Sequence, residues 1–362
     1  MVTICRRALL FAPLAQYLSA KTELRFIALG QALMTNSLRE PPYPGFDELR
    51  RSLAWGDLVF SNLESPVRGG EEKADPNVLT HSVPAQALDS LRALGINLLS
   101  LANNHSFDLG ARGLERTIAE SKSRGFGVAG TGRNEREAAA PGYLRLPSTR
   151  AALVAFASRM NLPAGAAGLS TPGANHLAMA SPGQLNAADS ARILHAISDA
   201  SKLSNFVVAY HHDHYWEADN SQTAEWKIAW AHRCIEAGAN VFISHGAPLL
   251  HGIEIYRDRP IFYDLGNFVF QTRKPVGEYP ASAWQGAIAK CEFRDSKITS
   301  LVLQPISLNE RGETGDRFFE TRGRPSMAHG DQSKTILEGL RAASKRFGGR
   351  ISIENETGKV EL

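Results

Sequence analysis

The chain has 362 residues and a formal net charge of +3, with 43% hydrophobic and 21% charged residues. This length can bury a substantial core without disulfides, and the near balance of charge gives no indication of a nucleic-acid partner or an anionic membrane surface. Three widely spaced cysteines (Cys5, Cys234 and Cys291) form no CxxC pair, so we expect plain thiols and no thiolate zinc site.

The N-terminal residues 1–23 carry an arginine pair, a mostly apolar run and a stretch of small residues. These features fit either a weak secretory signal or an amphipathic leading helix. Pro13 and Gln16 interrupt the apolar run, which favours the helix and a cytoplasmic location. No stretch reaches the roughly 20 apolar residues of a membrane span, so we predict no transmembrane segment.

Strand and helix patterns then alternate along the chain. In chain order they predict strand 24–30, helix 46–56, strand 57–64, helix 84–95, strand 97–102, helix 112–124, extended residues 126–132, strand 150–158, helix 187–202, strand 205–216, helix 222–237, strand 239–246, a hairpin within 252–270 and strand 298–308. Repeated βα winding predicts a mostly parallel sheet with both faces covered. Residues 159–186, rich in small residues and proline, predict a long loop over the site, and the pattern fades in a C-terminal extension, 311–362, with one helix near 332–346.

Polar side chains gather at the carboxyl ends of these strands, where open α/β sheets bind ligands. They are Gln31, Asn62, Glu64, Asn104, His105, the run His211-His212-Asp213-His214, and His245. Six of the eleven histidines fall in such turns, His251 included, which a scatter of solvated histidines would not produce. Carboxylate, amide oxygen and imidazole are ordinary ligands of divalent metals, so the strand ends predict a metal site.

Five segments also resemble one protein family. The segments are NLES, LANNHSFDLG, VAGTGRNEREAAAP, SHGAPLLHGIEIY and IFYDLGNFVF. They are similar, in the same order, to the CapA family, the poly-γ-glutamate synthesis type within the calcineurin-like metallophosphoesterase superfamily. The resemblance covers roughly residues 25–275. It implies a four-layer α/β/β/α sandwich, assigned here to residues 24–310, with a site for up to two metals at the strand ends.

The resemblance also implies roles for individual residues. Glu64 is the expected bridging carboxylate, and Asn104, His211 and His245 complete the second-metal half of the site. His105 is the expected general acid or base, with Asp108 as its orienting partner.

Two departures from the family fall on the first-metal half. Gln31 follows Gly30 where relatives have an aspartate, and Pro248 stands in the run where they have a second histidine. Glutamine contributes no charge and proline has no ligating side chain. We therefore expect one divalent ion (Mn, Zn or Fe) or none, and a two-metal mechanism loses its support.

Several further predictions concern residues near the strand ends, among which His212 and His214 have no family position. His212 and His214 are predicted to be catalytic or substrate-contacting groups. Gln31, Asn62, Trp216 and His251 are predicted to line the substrate pocket, although Trp216 suits an aromatic core equally well. Asn104 and His105 also suit a simple helix cap.

Three functions remain open at this point, each with a peptide-like or small-molecule partner. The leading one is metal-assisted hydrolysis of a γ-glutamyl or other amide or ester bond. The second is a metal-free epimerase in which histidines exchange a Cα proton, because imidazoles titrate near neutral pH. The third is a non-catalytic scaffold in envelope polymer synthesis, which the missing metal half supports.

Overall fold

A computed structural model describes residues 23–69, 81–313 and 317–362. The segment predicted as a signal or leading helix lies outside them up to residue 22. In the described part of the chain, no helix is both long and apolar enough to span a bilayer.

The secondary structure follows the alternation expected from the sequence. The strands are β1 (Glu23–Leu33), β2 (Leu58–Leu63), β3 (Val67–Arg68), β4 (Val83–Pro84), β5 (Leu98–Ser100), β6 (Gly127–Ala129), β7 (Thr131–Gly132), β8 (Gly142–Arg145), β9 (Arg150–Ala157), β10 (Gly173–Ala174), β11 (Met179–Ser181), β12 (Gln184–Leu185), β13 (Phe206–His212), β14 (Val241–His245), β15 (Ile253–Tyr256), β16 (Arg259–Phe262), β17 (Asn267–Phe270), β18 (Gln285–Arg294), β19 (Lys297–Leu308), β20 (Pro325–Met327), β21 (Ile351–Glu354) and β22 (Thr357–Val360). The α-helices are α1 (Pro44–Leu53), α2 (Ala87–Ala93), α3 (Gly110–Ser123), α4 (Glu135–Ala139), α5 (Ala187–Leu203), α6 (Glu225–Glu236), α7 (Phe318–Thr321) and α8 (Gly330–Ser344). Short 3₁₀ turns cover Pro163–Gly165, Ala281–Trp284 and Lys345–Phe347.

Two large sheets organise the molecule. The first has the order β21-β22-β19-β18-β1-β2-β5-β6, with β17 beside β1 and β20 beside β19, and the second has the order β15-β16-β14-β13-β9-β8. The strands β1, β2, β5 and β6 run parallel, and so do β9, β13, β14 and β16. Their carboxyl ends therefore lie at one edge of each sheet, which places the polar turns together.

The sheets pack face to face and helices cover their outer faces. Phe26 and Phe60 of the first sheet belong to the same buried cluster as Phe206 and Tyr210 of the second. A second cluster joins the outer face of the first sheet to α1 and α2, and a third joins the outer face of the second sheet to α5 and α6. Burial on both faces explains why the parallel strands read as near-continuous apolar runs. The predicted α/β/β/α sandwich is confirmed.

Some elements differ from the sequence expectation. The sequence pattern did not predict β8 or β18, and the long loop 159–186 contains the short strand β10 and the hairpin β11–β12. The residues predicted as a C-terminal extension pack on the sandwich: β20, β21 and β22 lengthen the first sheet. Leu337 and Leu340 of α8 are fully buried in the core between the sheets.

Candidate functional site

The two sheets bring three predicted side chains together at their strand ends. Glu64 follows β2, and its backbone N–H donates to the Ala32 carbonyl at 3.0 Å. Asn104 lies in the turn after β5, and His212 is the last residue of β13. His212 Nε2 is 2.8 Å from Asn104 Oδ1 and 3.7 Å from Glu64 Oε1. A carboxylate and an amide from one sheet thus meet an imidazole from the other.

His214 completes the group, which we call the strand-end cluster: Glu64, Asn104, His212 and His214. Its Nε2 is 3.0 Å from Nε2 of His212, and ligand atoms of Glu64, His212 and His214 all lie within 4.8 Å of one another. Two imidazole nitrogens this close need a shared proton or a shared cation between them. Ligands bonded to one ion at about 2.0–2.2 Å lie roughly 3–3.6 Å apart. The separation of 3.0 Å between His212 and His214 falls in this range, and that of 3.7 Å between His212 and Glu64 is slightly longer.

The charges of the cluster also suit a cation. Burial raises the pKa of Glu64 to about 7, with neighbouring His105 opposing the shift, and Glu64 Oε2 has no hydrogen-bond partner in the described part of the chain. Burial lowers the pKa of His214 to about 4 and holds that of His212 well below its usual value. Both imidazoles are therefore neutral at pH 7 and can offer a lone pair. A bound cation would compensate the buried carboxylate.

His105 and Asp108 form a hydrogen-bonded pair beside the cluster. His105 Nδ1 lies 2.7 Å from Asp108 Oδ2, and the same oxygen accepts the backbone N–H of His81 at 2.7 Å. Donation from Nδ1 to the carboxylate makes Nε2 the acceptor atom of the His105 ring, and Asn161 Nδ2 lies 3.4 Å from it. Both side chains are buried, so the ring orientation is held by packing as well as by the hydrogen bond.

The structure does not bring His211 into the cluster. Its ring stacks on Phe156 with centroids 4.9 Å apart, and its Nε2 lies 2.7 Å from Ser158 Oγ. Side chains alternate along a strand, and Tyr210 packs between the sheets, so His212 points inward while His211 points towards α6. His211 therefore lies outside the strand-end cluster, contrary to the sequence expectation, and the neighbouring His212 lies within it.

His245 lies on the correct face but beside the cluster. It pairs in register with His212 on the neighbouring strand, and its ring centroid is 5.5 Å from that of Tyr210. Burial lowers its pKa to about 3, and neither ring nitrogen has a hydrogen-bond partner among the described residues. It is therefore a neutral, unpaired imidazole next to the predicted metal position.

The predicted pocket residues divide into two groups. Gln31 and Asn62 are part of the buried framework of the first sheet: Gln31 Nε2 donates to Asn267 Oδ1 at 3.0 Å, and Asn62 Oδ1 accepts from Asn103 Nδ2 at 3.2 Å. His251 is also buried and lies 2.9 Å from the Asn220 carbonyl, in a different loop.

Trp216 is the exception among the predicted pocket residues. Its side chain is 43% exposed, and its ring packs against that of His214 with centroids 4.9 Å apart. It is the pocket candidate that reaches solvent beside the strand-end cluster.

Sequence reasoning missed several residues at the site. Asn161 Oδ1 accepts from Asn104 Nδ2 at 2.9 Å, and Asn161 Nδ2 lies 3.1 Å from His105 Nδ1. Asp264 is buried in the quoted YDLGN segment, where it accepts the Gly266 N–H at 2.8 Å, and burial raises its pKa well above its usual value. The aspartate in the YDLGN segment could therefore have been recognised from the sequence as a candidate site residue.

A buried ion pair supports the turn that carries His214. Asp213 Oδ2 lies 2.6 Å from Lys227 Nζ on α6, and Asp213 Oδ1 accepts the Tyr215 N–H at 2.9 Å. Burial alone would raise the pKa of Asp213, but Lys227 and other neighbours lower it below its usual value. Gly246 packs against this turn with φ +137°, where an added Cβ would lie 1.9 Å from the Asp213 carbonyl oxygen. Only glycine fits there.

The α/β/β/α fold is of the metallophosphoesterase-like class. A profile of the family described as "Bacterial capsule synthesis protein PGA_cap" matches residues 25–272, and the chain belongs to this family. The resemblance read from the sequence motifs is confirmed.

The chain is also similar to individual proteins. An uncharacterized protein of Sinorhizobium fredii is 27% identical, with 93% of this chain and 92% of that protein covered. "Capsule biosynthesis protein CapA" of Bacillus anthracis is 26% identical over 70% of this chain and 59% of its own length. "Probable polyglutamine synthesis accessory protein" of Mycobacterium tuberculosis is 28% identical over 59% of this chain and 55% of its own length. A solved structure of a hypothetical protein from Thermus thermophilus shares 14% identity, with a TM-score of 0.43 and coverage of 83% of this chain and 96% of that one.

Proposed function

We propose that the protein is a hydrolase of capsule or polyglutamate-type polymer metabolism that cleaves an amide or ester bond with one divalent metal ion. The strand-end cluster would hold the ion. The observation that carries the proposal is the Glu64 Oε2 atom, which has no hydrogen-bond partner among the described residues and is buried beside two neutral imidazoles and the His105–Asp108 pair. The names of the Bacillus and Mycobacterium relatives support the substrate class.

The residues of the chain supply proton transfer, orientation and charge. A bound ion would polarise a carbonyl group or lower the pKa of a water molecule. His105 Nε2 accepts the proton of the attacking water and returns it to the leaving nitrogen or oxygen, while Asp108 holds the ring and stabilises its charged form. Asn161 orients the Asn104 amide so that its oxygen faces His212. Ionised Glu64 provides the negative charge of the donor set.

The test combines metal content with hydrolysis. Purified protein, loaded with Mn²⁺ or Zn²⁺ or stripped with a chelator, is assayed on γ-glutamyl-p-nitroanilide and p-nitrophenyl acetate. We expect Glu64→Gln to lose metal and hydrolysis together and His105→Gln to lose hydrolysis alone. His195→Gln is the matched control, because that histidine is exposed on α5 and pairs with Asp199. Full metal content in Glu64→Gln would contradict the proposal.

One observation favours a second candidate, a metal-free epimerase. Nε2 of His212 and Nε2 of His214 lie 3.0 Å apart, and His105 is close enough to influence the pKa of His212, so three imidazoles that can exchange protons share the site. This function predicts that solvent deuterium enters an N-acylated amino-acid substrate at Cα and that the chelator has no effect. The same chelator experiment therefore separates the two candidates.

A further inference from the structure

A cleft of about 610 Å³ opens beside residues 215–217, which follow His214 of the strand-end cluster in the chain. The hairpin β11–β12 forms one wall, and Tyr215, Trp216 and Trp226 contribute aromatic side chains. The ring of Trp216 packs against that of His214, whose Nε2 belongs to the cluster. The Trp216 indole and the His214 imidazole thus stand between the cleft and the predicted metal position.

The aromatic wall is held in place by the backbone. Trp216 Nε1 donates to the Asp213 carbonyl at 2.9 Å, and Asp213 is fixed in turn by its ion pair with Lys227. The exposed ring face is therefore ordered without a ligand. A rigid, half-exposed indole offers a flat apolar surface at small entropic cost.

The cleft carries one cation that lacks a carboxylate partner. Arg159 lines it, and within the described residues no carboxylate lies at ion-pair distance from its guanidinium. Its Nη1 is 3.5 Å from the His214 carbonyl, and its backbone adopts φ +55°, which is unusual for a residue other than glycine. The turn after β9 thus directs this arginine to the rim next to His214. Glu217, on the same cleft, also has no described ion-pair partner.

We propose that this cleft is a subsite for a carboxylate-bearing, peptide-like part of the substrate. Arg159 binds the carboxylate through charge-assisted hydrogen bonds, which the planar guanidinium favours. Trp216 packs against the apolar part of the same group. The inference rests on the proposed function, because the group would belong to the substrate whose bond is cleaved beside His214.

The test measures binding in the metal-free protein, so that it does not depend on hydrolysis. Isothermal titration of chelator-treated protein compares the α-amides of N-acetyl-L-glutamate and N-acetyl-L-glutamine, which carry no α-carboxylate and differ only in the side-chain carboxylate. We expect the wild-type protein to bind the glutamate derivative more tightly, and Arg159→Gln to weaken that binding about tenfold, the usual loss for one charge-assisted contact. Arg159→Lys should retain part of the preference.

Glu217→Gln is the matched control, since it removes the opposite charge from the same cleft. We expect it to leave glutamate-derivative binding unchanged or to strengthen it. Equal affinity for the two probes, no binding of either, or no effect of Arg159→Gln would overturn the inference. Because metal is absent throughout, loss of hydrolysis in Glu64→Gln leaves this result unaffected, and the two proposals fail separately.

Discussion

Replacing Glu64 with glutamine should stabilise the metal-free protein above neutral pH. Burial raises the pKa of Glu64 from 4.5 to about 7 in the folded protein. Between these two values the unfolded chain releases the proton and the folded protein keeps it, so stability falls as the pH rises through this window. At 1.36 kcal/mol per pKa unit, the full penalty above pH 7 is about 3 kcal/mol.

The assay is urea unfolding of chelator-treated wild type and Glu64→Gln at pH 4.5, 6 and 8.5. The free energy of unfolding also differs because a buried amide replaces a buried protonated carboxyl group. This contribution is the same at every pH, so it cancels when the values at different pH are subtracted. We expect the variant to gain about 3 kcal/mol relative to wild type between the lowest and highest pH. In saturating Mn²⁺ the wild type should be more stable than the variant, because the ion stabilises the folded state that binds it. A difference that stays constant with pH would refute the argument.

The remaining predictions concern the second sheet and the proton carrier. His212→Gln should abolish bound metal, measured by mass spectrometry of the loaded protein, whereas His211→Gln should retain it; the reverse result would return His211 to the site. His105→Gln should lower kcat about 10²–10⁴-fold at full metal occupancy, and a loss below tenfold would exclude it as the proton carrier. Lys227→Met should lower the free energy of unfolding by about 3–5 kcal/mol, because Asp213 is left buried and unpaired. Asp213→Asn on that background should recover much of the loss in the same urea titration.

The strands with large apolar side chains were predictable from the sequence. The runs that became β1 and β13 contain enough Leu, Ile, Val and Phe to be recognised without any tertiary information. The sequence of β18, QGAIAKCEFR, contains small and charged residues, and its central place depends on pairing with β1 and β19. Such pairing is a long-range effect that local propensity does not contain.

The sequence indicated which strand ends carry the site residues, but it did not indicate which face of the strand each side chain lies on. His211 and His212 are adjacent in β13, and both faces of that strand are apolar: Val208 packs between the sheets and Val207 packs against the helices. Periodicity therefore could not indicate which histidine turns inward. The missing information was the packing partner of each face.

The position of Lys227 in the sequence could have predicted a buried ion pair. It is buried on α6 together with Trp230, Ala231 and Cys234, at the i, i+3, i+4 and i+7 positions of one apolar stripe. A lysine in such a stripe needs a buried partner. Asp213 is that partner, but nothing in the spacing between the two residues identifies it.

The position of β1 in the first sheet has a consequence for synthesis of the chain. It pairs with β2 on one side, while its partners on the other side, β17 and β18, begin at Asn267 and Gln285. At about 5–20 residues per second, a ribosome needs roughly a quarter of a minute to a minute to make the intervening segment. During that time the nascent chain carries an open, apolar strand edge of the kind that templates aggregation. The β1 edge is therefore closed only after residues 267–294 have been synthesised.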